Sequence, residues 1–317
     1  MLGWFRGIYS FDYMGHKKWW FTLSACIIGV GLISMFVRGG GNPLHGLKYG
    51  LEFKTGTRIS VVFTKPGVTV ADVRSVVSSA GYSDAVIQQV TLEGAKTGFQ
   101  IQTHTLTSPQ EQALQNKLSS AFGIAPSGYQ SQTVGPTFGS QVVTATWKAF
   151  IIILILIMAY VSIRFQWKFA LAAILAELHD LLVVVGIYSL TGREVSTAAI
   201  AAVLTILGYS LYDTVIVFDR IRENTPKMGR RRYGDMVNAS IWETLTRSIN
   251  TTMTTLIPVI CLLLFGGATL KDFAFALLVG VASGAYSSIF VASPFATWLK
   301  EKEPQYRKLA SRAAAEG

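Results

Sequence analysis

Gly208-Tyr-Ser-Leu-Tyr-Asp213-Thr-Val-Ile-Val-Phe-Asp219-Arg220-Ile-Arg-Glu-Asn224 carries one acidic residue, Asp213, well before its charged end. It continues an apolar run that opens near Ala198, which sets Asp213 about four turns into a helix of membrane length. At 1.5 Å per residue, Asp213 lies about 9 Å short of the charged pair Asp219 and Arg220. A carboxyl group near the centre of such a helix costs roughly 2.5 to 3.5 kcal/mol on insertion scales, so its presence implies a function and a partner.

Five more apolar runs lie at residues 19–37, 142–163, 169–190, 248–265 and 273–299, which with 198–218 makes six spans. Half of the 317 residues are hydrophobic and only 15% are charged, a balance that excludes an ordinary soluble domain. The formal charge of +10 belongs to the short connections rather than to a nucleic-acid surface. Arg6, Lys17 and Lys18 precede the first span, where Trp19 and Trp20 mark an interface. Arg164 and Lys168 follow the second span, a basic run over residues 220–232 follows the fourth, and Lys300, Lys302, Arg307, Lys308 and Arg312 follow the sixth. The alternate connections carry Arg193 and Lys271 alone. By the positive-inside rule, both termini (1–18 and 300–317) and the 219–247 segment leading into the fifth span are cytoplasmic, and residues 38–141 lie outside. The first run is longer than a signal-peptide core and reads as a retained anchor. Cys26 and Cys261 both sit in spans and suggest no disulfide or metal site.

The outer segment has the pattern of a domain. Arg58–Phe63 alternates as a strand and Thr69–Ala80 is helical, with Thr69 and Asp72 as a capping box. Ala85–Val90 and Gly98–His104 read as strands. A second helix opens at Ser108, with Pro109 first and Glu111 completing its box, and a last strand runs over Tyr129–Val134. The order βαββαβ predicts a ferredoxin-like α+β module carried by an all-α six-helix membrane bundle.

On the fifth span Arg247, Asn250, Thr251 and Thr254 recur at three and four residues, a polar stripe suited to face Asp213. Three readings of Asp213 and Arg247 fit: a proton-coupling pair, a structural ion pair, or an arginine that snorkels to headgroups. The third span adds Glu177, His179 and Asp180 near its middle. Glu177 and Asp180 share a face and His179 points about 100° away, a set that suits proton passage or interhelical hydrogen bonding. Ala198, Ala201, Ala202, Gly280 and Gly284 suit close helix packing. No nucleophile paired with a base, no metal-ligand spacing and no nucleotide loop stands out, so an enzyme is not expected, nor a cofactor. Work would come from an ion gradient, worth about 2.3 kcal/mol per charge per 100 mV.

Gly208–Asn224 resembles the fourth-span signature of the SecF branch of the SecD/SecF protein-export family, within the resistance-nodulation-division superfamily. Three more segments share the resemblance: Gly135-Pro136-Thr-Phe-Gly139, the pair His179-Asp180, and Thr244-Leu-Thr-Arg-Ser-Ile-Asn-Thr-Thr252. It implies a multi-pass protein of the bacterial plasma membrane that works with a six-span SecD partner beside the SecYEG channel. The proton-motive force would there promote translocation of unfolded polypeptide. It also implies that Asp213 and Arg247 take part in proton passage. The segment Gly50-Leu-Glu52-Phe53-Lys-Thr55-Gly56-Thr57 is similar to the family's Gly-x-Asp-Phe-x-Gly-Gly-Thr, with Glu for Asp and Thr for the first Gly of the pair. Thr55 enters positive φ less cheaply than glycine. Tyr212 stands where many members carry Asn. Two further readings remain: a half-transporter for a lipid or small amphiphile, and a membrane scaffold without transport.

Overall fold

A computed structural model describes residues 11–92, 96–229 and 231–307. Arg6, Arg230, Lys308 and Arg312, part of the charge pattern above, lie outside the described residues. The chain forms two compact units, Tyr49–Thr146 and the remainder, Met1–Lys48 with Trp147–Gly317.

The first unit is built on β1 (Gly56–Phe63), α2 (Val70–Ser79), β2 (Val86–Leu92), β3 (Lys96–Thr103), α3 (Ser108–Phe122) and β4 (Ile124–Val134), where α1 denotes the earlier helix Lys17–Arg38. The strands pair antiparallel in the order β2-β3-β1-β4. Register sets Ile59 opposite Ile101 and Val61 opposite Phe99, so alternate residues enter one core with Val73, Val77, Leu114 and Leu118 from the two helices. The Thr69–Asp72 capping box is present. At α3 the expected box is displaced by one residue. Thr107, in extended conformation, is the N-cap; its N–H donates to Gln110 Oε1 at 2.9 Å, so Gln110 rather than Glu111 closes the box. β4 begins five residues earlier than the pattern suggests, because pairing resumes between Phe63 and Ile124 beyond an irregularity after Val61.

Among the described residues, six helices are long and apolar enough to cross a membrane. They are α1, α4 (Pro136–Arg164), α5 (Trp167–Thr191), α6 (Thr197–Asn224), α7 (Tyr233–Phe265), and a last span made of α8 (Ala268–Ser287), a π-helical turn at Ser288–Ala292 and α9 (Ser293–Glu301). α7 starts well before the apolar run at Ser248, because its first turns are amphipathic: Tyr233, Met236, Val237 and Ile241 are buried at helical spacing. The break in the last span follows from Pro294, which has no N–H to give the preceding turn. Ser293 Oγ instead donates to Ser288 O at 2.8 Å.

Small residues bring the spans together. A Cβ on Gly31 of α1 would stand 2.7 Å from the Gly186 Cα of α5. One on Gly280 would meet the Ile206 side chain at 2.1 Å, and one on Gly284 would meet Ser210 Cβ at 2.9 Å, so α8 lies tight against α6. Ala199 and Ala202 pack with Ala276, whereas Ala201 is exposed.

Candidate coupling site in the membrane bundle

Asp213 lies on the α6 face turned to α7 and is 2% exposed. Its polar environment there is thin. Thr251 Oγ1 reaches Asp213 Oδ1 at 3.5 Å, the limit of a hydrogen bond. Oδ2 has no partner among the described residues. Ser248 lies alongside Asp213, yet among the described residues its buried Oγ has no hydrogen-bond partner, and the same holds for Thr252 Oγ1 and Tyr209 OH. Asp213 therefore faces an interface where several buried polar atoms lack partners, which is costly unless the group is neutral or changes partner.

Arg247 is not the direct partner of Asp213 that the spacing suggests. Its Nη2 donates to Tyr212 OH at 3.0 Å, and both side chains are exposed. Asn250 and Thr254 are exposed too, and Thr254 Oγ1 returns to backbone carbonyls of its own helix. The buried polar stripe of α7 runs one position to the side, through Ser240, Thr244, Ser248 and Thr252. That strict four-residue series was present in the sequence. Arg247 departs from it because a side chain as long as arginine reaches a polar atom outside its own helix stripe.

The third-span residues divide in two. Asp180 is fully enclosed and fully engaged: Ser210 of α6 and Ser287 of α8 donate to Oδ2 at 2.8 Å each, Ser283 donates to Oδ1 at 2.6 Å, and His179 Nδ1 stands 3.1 Å from Oδ1. This carboxyl ties three helices together. None of the three serines was singled out, since isolated serines in an apolar run give little signal. His179 stacks on Tyr286 with centroids 5.8 Å apart, and its buried Nε2 has no partner among the described residues. Glu177, 1% exposed, has no hydrogen-bond partner among the described residues at either carboxyl oxygen, while the nearby Ser210 is committed to Asp180.

Asp219 and Arg220 anchor ion pairs at the end of α6. Asp219 holds Arg222 at 2.6 Å and Arg164 at 3.7 Å, and Arg220 pairs with Glu223 and Glu243. Such exposed pairs are screened by water and contribute little to stability. Gly208 is exposed, with no atom within 4 Å of an added Cβ.

In the Tyr49–Thr146 unit, two motifs named from sequence meet. Gly50 precedes a single helical turn, Leu51–Lys54, that contains Glu52 and Phe53. A Cβ on Gly139 would lie 2.8 Å from Thr55 Cγ2 and 3.4 Å from Glu52 O, so the two segments touch and any larger residue there would have to push the Thr55 side chain aside. Thr55 has φ 60 and ψ 153, a region other residues enter at a cost of roughly 1 to 3 kcal/mol. Gly56, at φ 133, would clash with Thr103 O if it bore a side chain. Gly135 has no comparable constraint. Glu52 Oε2 is buried without a partner. Among the described residues no group of three or more His, Cys, Asp or Glu is placed to hold a metal ion.

Six apolar helices with ionisable side chains enclosed between them define a multi-pass membrane protein of the class in which such groups mark ion or substrate pathways. A family model described as protein export membrane protein SecD/SecF, C-terminal, matches residues 114–302. A protein translocase subunit SecF of Streptomyces coelicolor is 37% identical over 98% of this chain and 82% of its own length. A protein translocase subunit SecDF of Thermus thermophilus is 38% identical over 82% of this chain and 36% of its own. The crystal structure of a SecDF described as a translocon-associated membrane protein, also from Thermus, superposes with a TM-score of 0.79 at 35% identity, covering 92% of this chain and 39% of that one. The chain belongs to the SecD/SecF protein-export family.

Proposed function

We propose that this chain is a SecF-type subunit which, paired with a SecD-type subunit, uses the proton-motive force to promote passage of unfolded polypeptide through a SecYEG channel in the bacterial plasma membrane. Family membership supports the export role. The fused SecDF relatives support the pairing, since this chain spans only 39% of the SecDF chain it superposes on. The basic connections support cytoplasmic termini and an outer position for the Tyr49–Thr146 unit. Its antiparallel strand order, with two helices on the sheet, supports the ferredoxin-like reading.

The observation that carries the coupling is that Arg247 is hydrogen-bonded to Tyr212 rather than to Asp213. The guanidinium rests on Tyr212, next in sequence to a buried carboxyl whose Oδ2 has no partner. A protonated Asp213 tolerates this arrangement; an ionised one attracts Arg247 away from the phenol. Proton arrival and departure thus move Arg247 between two acceptors on α6 and shift α7 against α6. The outer domain, moved by that shift, holds emerging polypeptide and hinders its return.

The test is export of a secreted reporter in membranes containing this chain and a SecD partner, with and without a proton gradient, comparing wild type with Asp213→Asn. The gradient-dependent part disappears in the variant while assembly is retained. Unchanged gradient dependence would assign the carboxyl to structure alone.

A further inference from the structure

Where α4 gives way to α5, the ends of α6, α7 and α9 also converge, around a cavity of about 150 Å³. Its walls include four rings, Phe165, Phe169, Tyr233 and Tyr306, and two cations, Arg222 and Lys300. Arg222 Cζ stands 5.2 Å from the Phe165 ring centre. Lys300 Nζ lies 6.0 Å from that of Phe169 and 5.7 Å from that of Tyr306, with the lysine only 6% exposed. The charges around the cavity do not balance. Lys168 and Lys300 share the single carboxylate of Glu303, at 2.7 and 3.0 Å. Arg164 and Arg222 share Asp219, at 3.7 and 2.6 Å. Four cations thus meet two carboxylates, leaving an excess of two positive charges where one is already buried.

A further donor set lies beside them. Gln166, another lining residue, is the N-cap of the 25-residue α5 and makes no side-chain cap, so the first-turn N–H groups and the positive end of the helix dipole adjoin the cavity. Arginine and lysine with a helix N-terminus are the donors that recognise a phosphate. The rings select further, since a hydrated inorganic ion gains little from aromatic walls, whereas the glycerol and first methylenes of a phospholipid do. The position agrees: the cavity lies at the ends of spanning helices, beside the exposed Trp167, at the depth where aromatic belts and headgroups meet.

We infer that this cavity binds the phosphate of an anionic phospholipid headgroup, with Arg222 and Lys300 as its charged contacts and the Phe165 and Phe169 rings against its glycerol. The site is separate from Asp213 and does not depend on the proton-coupling reading.

The experiment uses the full chain in phosphatidylcholine vesicles, with or without phosphatidylglycerol, followed by native mass spectrometry of retained lipid and by thermal unfolding. Wild type retains phosphatidylglycerol, and its unfolding midpoint rises by several degrees. Arg222→Gln and Lys300→Met each reduce retention roughly tenfold, the loss of one charged contact. Lys271→Gln, an equal charge change on α8, does not. Arg222→Gln leaves the contacts of Glu303 with Lys168 and Lys300 in place, so the test survives if Lys300→Met fails to fold. Millimolar inorganic phosphate in phosphatidylcholine vesicles leaves the midpoint unmoved; an equal rise would overturn the lipid assignment in favour of free phosphate. Retention that both variants leave unchanged, or that Lys271→Gln reduces equally, overturns the site.

Discussion

Asp180 and Asp213 are both aspartates enclosed in the same bundle, one 1% and the other 2% exposed, yet their surroundings are opposites. Asp180 accepts from three serines on two other helices and has His179 beside it. Asp213 has one hydroxyl at 3.5 Å and an oxygen with no partner, amid other buried polar atoms that also lack partners. A saturated carboxyl fixes helices in one arrangement, because moving any of them breaks several bonds at once. An undersaturated one leaves a second arrangement within reach. Depth in the membrane alone therefore does not separate a carboxyl that fixes its neighbours from one free to change partner; the hydrogen-bonding capacity left unfilled around it does.

The strongest way to break this contrast is to remove each carboxyl in turn. Asp180→Ala takes the acceptor from three buried hydroxyls, for an expected loss on the order of 3 kcal/mol, since each buried donor left unmade costs about 1 to 3 kcal/mol and interhelical bonds in bilayers tend to the low end. The detergent-solubilised variant should unfold several degrees below wild type, whereas Asp213→Asn should unfold within about a degree of it. Equal losses of stability would erase the distinction.

The spans and the oddity of Asp213 were legible in the sequence, because twenty apolar residues have one common fate and a charge among them stands out. The saturation of Asp180 was not. It depends on Ser210, Ser283 and Ser287 converging from two helices, and nothing local marks those serines. The same holds for Arg247, whose helix stripe pointed at Asp213 while its length let it settle on Tyr212. In the Tyr49–Thr146 unit the strand and helix pattern was legible. The meeting of Gly139 with Thr55 was not, since it joins segments more than eighty residues apart. The departure from glycine at Thr55 did carry a signal, and the structure places that residue in the conformation glycine prefers.

A smaller effect sharpens the Asp213 side. Tyr212→Phe removes the acceptor that holds Arg247 away from Asp213 and leaves both charged groups in place. With no competing partner, the guanidinium favours the ionised carboxyl, which makes proton loading harder. The pH at which gradient-dependent export is half-maximal should then fall by roughly half a unit to one unit, corresponding to a hydrogen bond of about 1 kcal/mol. Export measured over a range of pH in both proteins checks this. A profile that coincides with wild type shows that the phenol takes no part.

Asp72 completes the series from the exposed end. It accepts from the Thr69 N–H at 2.9 Å and from Thr69 Oγ1 at 2.8 Å. These two bonds, the backbone one first, with a lesser contribution from Lys65, hold its carboxyl below the usual carboxylate range. Because the folded value lies below the unfolded one, near 3.9, the stabilisation is present above the unfolded value and is lost as pH falls through the folded one. Water screens the group, so the consequence for stability is the smallest of the series. The observable is local: the chemical shift of the Thr69 amide should titrate with a midpoint below the ordinary carboxylate value, and Asp72→Asn should abolish that titration. A midpoint at or above the ordinary value would mean that the cap does not favour the ionised form. Bonds to a carboxyl are then no guide to its charge even in water, and the argument that Asp213, short of partners, is best tolerated in its protonated form loses its simplest support.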